Sequence, residues 1–164
     1  MKMTLSPVTL VLCGAIAVPA HAQMPTRKAG LWESTMSGTS SLAAEGPVKV
    51  KQCIDAATDR AALTGAMAAK ACQQGPVVKT ARGYELEGTC TMGQMTSKSK
   101  SIITGDFSSK VTVNVTALIS TGGGPAKASK TTIESRYIGP CEAGQKPGDI
   151  IMPDGKVFKT PGVQ

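Results

Sequence analysis

Residues 1–22 constrain this chain most, because they read as a segment that is removed before the rest folds. Met1-Lys2 makes a short positive start, and Val8 to Val18 is an apolar run too short to span a bilayer as a finished helix. Ala20-His21-Ala22 has the small-x-small pattern after which a signal peptidase cuts, so Gln23 is the expected new N-terminus. The cut takes away His21, the only histidine, together with Cys13. What is left to fold carries Cys53, Cys72, Cys90 and Cys141, no histidine, and a route into an oxidising compartment. A competing reading makes Cys13 a lipoprotein anchor, since Val11-Leu12-Cys13-Gly14 loosely matches a lipobox. Leu12 speaks against it, because a small residue normally precedes the lipidated cysteine. The expectation is therefore periplasmic export without a lipid and with no transmembrane span after cleavage.

Residues 23–141 are long enough for one domain with a single core, followed by a Pro/Gly-rich tail at 142–164 that we expect to pack loosely. Aromatic residues are few (Trp32, Tyr84, Phe107, Tyr137 and Phe158), so alanine, valine and isoleucine must fill most of the interior. A core this thin gains from covalent staples, and the four remaining cysteines can supply two. The net charge of +7 falls by one when Lys2 leaves. Its basic residues are scattered, with no run and no interleaved aromatics to stack on bases, so nucleic acid is not an expected partner.

Gly30 to Thr35 reads as a first strand, and Val48 to Cys53 as a second with strict alternation. Asp55 is a good N-cap for Ala56 to Ala71, an alanine-rich stretch and the one strong helix candidate. After it the pattern changes to period two. Val77-Val78 and Tyr84 to Glu87 flank the hairpin turn Ala81-Arg82-Gly83, and Ser97 to Thr104 is a polar strand. Val111 to Ile119 is the clearest strand, with Val111, Val113, Val115, Ala117 and Ile119 on one face; Thr131 to Ile138 is the last long one. Pro153-Asp154-Gly155 is placed to turn a small terminal hairpin. The expected fold is α+β: a curled antiparallel meander of about seven strands, barrel-like if its ends meet, with one helix packed on it.

Spacing alone leaves three pairings of four cysteines open, but the layout favours one. Cys72 and Cys90 are equidistant from Ala81, so a three-residue turn, Thr80 to Arg82, would set them opposite each other. If the sheet curls until its first and last strands approach, Cys53 and Cys141 meet at that seam. The sequential pairing would join opposite ends of the sheet, beyond disulfide reach.

The run Arg27-Lys28-Ala29-Gly30-Leu31-Trp32-Glu33, then Cys53-Ile54, Cys72, Cys90, and finally Ser135-Arg136-Tyr137-Ile138-Gly139-Pro140-Cys141 occur in an order that resembles the exported bacterial proteins of domain-of-unknown-function family 3617. The resemblance implies a Gram-negative periplasmic protein. It brings no established activity, so no site residue is carried over. The chain departs from the family pattern at Asp55-Ala56-Ala57, where the helix opens, and in its longer tail.

An enzyme is not expected. Without histidine there is no histidine-based triad and no histidine-supported zinc site, and paired cysteines offer no thiolate. Glu85 and Glu87 share a strand face, but two solvated charges on the wet side of a sheet account for them. Gly122-Gly123-Gly124 lacks the Lys-Ser/Thr of a phosphate loop. Met92-Gly93-Gln94-Met95 puts two thioethers around a tight turn, a way to hold a soft cuprous ion, although no third soft ligand is evident. Nothing implies a cofactor. The leading expectation is a non-catalytic periplasmic binding or interaction module whose partner is an apolar small molecule or an envelope protein; the alternative is copper handling by Met92 and Met95.

Overall fold

Alternating Thr/Ser/Lys and Val/Ile residues commit most of the described residues to strands. The computed structural model describes residues 23–39, 46–63 and 71–160. The expected signal segment with Cys13 and His21, and positions 64–70 of the expected helix, lie outside the described residues. The strands are β1 (Gly30–Gly38), β2 (Val48–Ile54), β3 (Cys72–Gln74), β4 (Val78–Thr80), β5 (Gly83–Met92), β6 (Met95–Gly105), β7 (Lys110–Thr121), β8 (Lys127–Gly139), β9 (Asp149–Ile151) and β10 (Val157–Lys159). One helix, α1 (Ala56–Leu63), stands between β2 and β3.

All ten strands belong to one antiparallel sheet in the order β10-β9-β2-β1-β8-β7-β6-β5-β3, with β4 also paired to β5. The first long strand, β1, lies between β2 and β8, so the meander returns to its start as expected. Among the described residues the sheet does not close into a barrel. β10 is left at one edge, and β3 and β4 at the other. Chain leaving β2 crosses to the far edge through α1, whose start is capped as expected. Asp55 Oδ1 accepts from the backbone N–H groups of Ala57 and Thr58, and the Asp55 N–H donates to Thr58 Oγ1 at 2.9 Å, a reciprocal cap. Ala71, the expected last helical residue, is in a turn.

Two expectations need correcting. The β4–β5 turn has two residues, Ala81-Arg82, because Thr80 pairs with Gly83. That register alone would put Cys72 opposite Thr91. Instead, Gly75, Pro76 and Val77 face only Leu86 and Glu87, and this one extra residue shifts the register so that Cys72 pairs with Cys90. Pro76, which has no N–H to give a ladder, suits that irregularity. The second correction is the tail. Residues 149–159 form a hairpin whose β9 adds to β2 through Lys51↔Ile151 and Gln52↔Ile150. The open edge of β2 supplied unpaired backbone groups, and the short Asp149-Ile150-Ile151 run satisfies them.

The packed core gathers Trp32, Ile54, Ile103, Phe107 and Val111 at one end of the sheet, with Tyr84 and Tyr137 against it. Trp32 is fully buried; its indole N–H donates to the Lys28 carbonyl at 2.8 Å, and its ring meets Tyr137 edge-on at 5.8 Å. Gly30 makes this seam possible. Its φ is +136°, and a Cβ there would stand 2.6 Å from the Gly139 oxygen and 2.8 Å from the Tyr137 ring.

Candidate functional site

Strict alternation divides each long strand between two very different faces. On the outer face Glu33 lies across from Lys51 and Arg136, Lys110 reaches Glu134 at 3.4 Å, and Lys100 bridges Glu85 at 2.8 Å and Glu87 at 3.3 Å. Arg82 adds a second contact to Glu85 at 2.7 Å. The Lys100 ammonium and then Arg82 hold the Glu85 carboxyl below its ordinary range. These two carboxylates therefore serve a surface ion-pair network and face away from the sheet's interior.

On the inner face the same strands curve around a cavity of about 350 Å³. Val111, Val113 and Val115 of β7 form its floor, which is the apolar stripe read from the sequence. Ile133 of β8, Met36 of β1, and Val48 and Val50 of β2 make one wall; Leu86 of β5 and Ile103 of β6 make the other. Ala62 of α1 closes one side, and its small methyl leaves room above the sheet. Polar groups interrupt this lining. Ser34 and Ser135, both buried, face each other across β1 and β8 with their hydroxyl oxygens 2.8 Å apart. Ser99, Ser101, Gln52, Gln74 and Glu87 complete the polar set with Arg27.

Arg27, which opens the family-like run in the sequence, is not marked there as a cavity residue, yet it lines the cavity. It precedes β1, and its Nε donates to Asp59 Oδ1 at 2.6 Å while its backbone N–H donates to Asp59 Oδ2 at 2.6 Å. Both residues are buried, and the guanidinium carbon lies 5.3 Å from the Trp32 ring centroid. The pair ties α1 to the chain ahead of β1 and so covers the packed end of the sheet. In a helix read for its alanines, Thr58 and Asp59 turn out to form the inward stripe. The one usable clue is that Asp59 lies one turn beyond the cap Asp55, on the same helix face.

The cysteines stand in two bonded pairs, Cys53–Cys141 with Cα atoms 5.5 Å apart and Cys72–Cys90 with Cα atoms 3.9 Å apart. Met92 and Met95 are paired across the two-residue turn Gly93-Gln94, with the glycine at positive φ in the position a type II′ turn requires. Met92 is 55% exposed. No cluster of three His, Cys, Asp or Glu side chains suited to a metal occurs among the described residues. Nor, among them, is any helix long and apolar enough to cross a membrane.

The sequence landmarks converge on one seam. Trp32 pairs with Tyr137, Glu33 with Arg136 and Leu31 with Gly139, while Leu31 also pairs with Cys53, whose bridge goes to Cys141. Neither a curated protein nor a solved structure matches the chain. A sequence model of a family described as "Protein of unknown function (DUF3617)" does match it, over residues 27–141, from the buried arginine to the last bridged cysteine. The chain belongs to the DUF3617 family.

Proposed function

We propose that this protein is a non-catalytic binding module that works in the periplasm after export and holds an apolar small molecule against the inner face of its sheet. One observation carries this reading: strands whose outer face is charged enclose, on the inner face, a largely aliphatic cavity of about 350 Å³. That volume falls within the range of small-molecule sites, about 300–1,000 Å³. An aliphatic lining with scattered hydroxyls favours burial of an apolar body and offers no nucleophile paired with a base. Two disulfides and the expected export segment support an oxidising compartment. Cuprous capture by Met92 and Met95 ranks second, because two thioethers at an exposed turn make an incomplete soft site.

The test is to purify the protein natively, identify co-purifying small molecules by mass spectrometry, and titrate the emptied protein with a dye that brightens in a dry site. We expect a bound apolar compound and saturable dye binding. Val115 is half-buried in the cavity floor, so Val115→Trp should fill the space and abolish dye binding, with the unfolding midpoint moved by less than about 4 °C. A wild-type protein that binds no dye refutes the proposal, as does a Val115→Trp variant that binds it undiminished.

A further inference from the structure

Polar groups line both ends of the cavity: Ser99, Ser101 and Gln74 lie level with Val115 and beyond, while Gln52, Ser34, Ser135 and Arg27, the one cation among the described lining residues, lie at the closed end near Trp32 and Val111. Arg27, 5% exposed, lines the cavity there and spends its Nε on Asp59. A guanidinium carries five N–H donors, and the four on the Nη nitrogens have no acceptor among the described residues. Beside it, the hydroxyls of Ser34 and Ser135 share one hydrogen bond, which leaves one O–H of the pair to give. No buried side-chain nitrogen or oxygen among the described residues lacks a partner, so these unshared donors are open to the cavity, where an occupant's acceptor oxygen can reach them. Charge narrows the choice further. Asp59 already neutralises Arg27, and Glu87, which also lines the cavity, gives its carboxylate to Lys100 on the outer face. A carboxylate brought to the closed end would therefore be a buried charge without a counter-ion.

We propose that the occupant is a single-chain, uncharged amphiphile seated head first, its hydroxyl or carbonyl oxygen accepting from the Arg27 Nη groups and its chain lying along Val113, Val115 and Ile133. This rests on the cavity-binding reading above and specifies its ligand class. The cavity's size, near the lower end for small-molecule sites, suits one chain better than two. From Val111, which is 1% exposed, the valine floor runs away from the packed core and gives that chain its direction.

The experiment is displacement of the bound apolar dye from the emptied protein by decanol, methyl decanoate and decanoate at neutral pH. Decanol and the ester should displace at concentrations about tenfold lower than decanoate, because decanoate would have to bury a carboxylate whose charge has no free counter-ion once Asp59 neutralises Arg27. Arg27→Lys keeps a cation for Asp59 and removes the Nη donors, so the ratio of decanol to dye affinity should fall about tenfold. Should that variant fail to fold, Ser34→Ala combined with Ser135→Ala removes both hydroxyl partners together and should lower the same ratio several-fold. Decanoate displacing as well as decanol overturns the assignment, as does a ratio unchanged in the variant that folds; in both cases dye binding leaves the binding reading standing. A wild-type protein that takes up no dye fails the binding reading itself.

Discussion

Replacing Cys53 and Cys141 together by alanine should cost clearly more stability than replacing Cys72 and Cys90 together. The bridges close different lengths of chain: 88 residues separate Cys53 from Cys141, and 18 separate Cys72 from Cys90. The short loop lies inside the long one, so with the inner bridge intact about 70 residues remain for the outer bridge to close. In the chain-entropy account, closing a loop of about 70 residues is worth about 4.4 kcal/mol at 25 °C and one of 18 about 3.2 kcal/mol. Cys53 is also completely buried at the β1–β2 seam, whereas Cys72 and Cys90 sit half-buried beside a sheet edge, so lost packing adds to the gap. Urea unfolding followed by the fluorescence of Trp32, the single tryptophan and fully buried, measures both variants. If the outer-bridge variant is already unfolded in buffer, an excluded osmolyte restores a measurable baseline. Equal losses, or a larger loss from the Cys72/Cys90 variant, would refute the loop-length reasoning.

Two further outcomes are expected. Stability should be level from about pH 5 to 8 and decline below about pH 4, as read from urea midpoints across the acid range. The cause is a set of carboxyls held below their ordinary range: Asp106 by the Ser109 hydroxyl and then by the backbone N–H groups of the β6–β7 loop, Asp149 by the Lys159 ammonium, and Asp55 by the Thr58 N–H. Each carboxylate favours the folded state above its unfolded pKa, and that contribution disappears as pH falls through the lower folded value. A midpoint that rose on acidification would contradict this sign. Met92→Leu with Met95→Leu should leave the urea midpoint nearly unchanged, since leucine and methionine have similar volumes, and should leave cuprous binding as it was. Sub-micromolar cuprous affinity that the double change abolishes would promote the copper reading instead.

Period-two patterning makes the strands legible from the residues themselves, and the valine stripe of β7 points to the face that lines the cavity. The pairing of Cys72 with Cys90 follows in the sequence from a turn one residue too long. The irregularity at Gly75 to Val77 restores the register by an equal step, and no local signal distinguishes the two routes. The terminal hairpin shows the same limit. Pro153-Asp154-Gly155 marks a turn, but the pairing of Asp149-Ile150-Ile151 with β2 depends on that strand having an open edge.

Sequence alone determined that the chain would be mostly antiparallel sheet with two unlike faces, because side-chain alternation is written residue by residue. It also determined the helix start at Asp55, a cap made by groups three residues apart. Only tertiary structure decided that the sheet stays open and that the inner face is hollow. It alone decided that Arg27 and Asp59, 32 positions apart, meet in the interior with donors left over. Those outcomes depend on how the sheet curves and on which side chains run out of neighbours, and packing across the whole chain settles both.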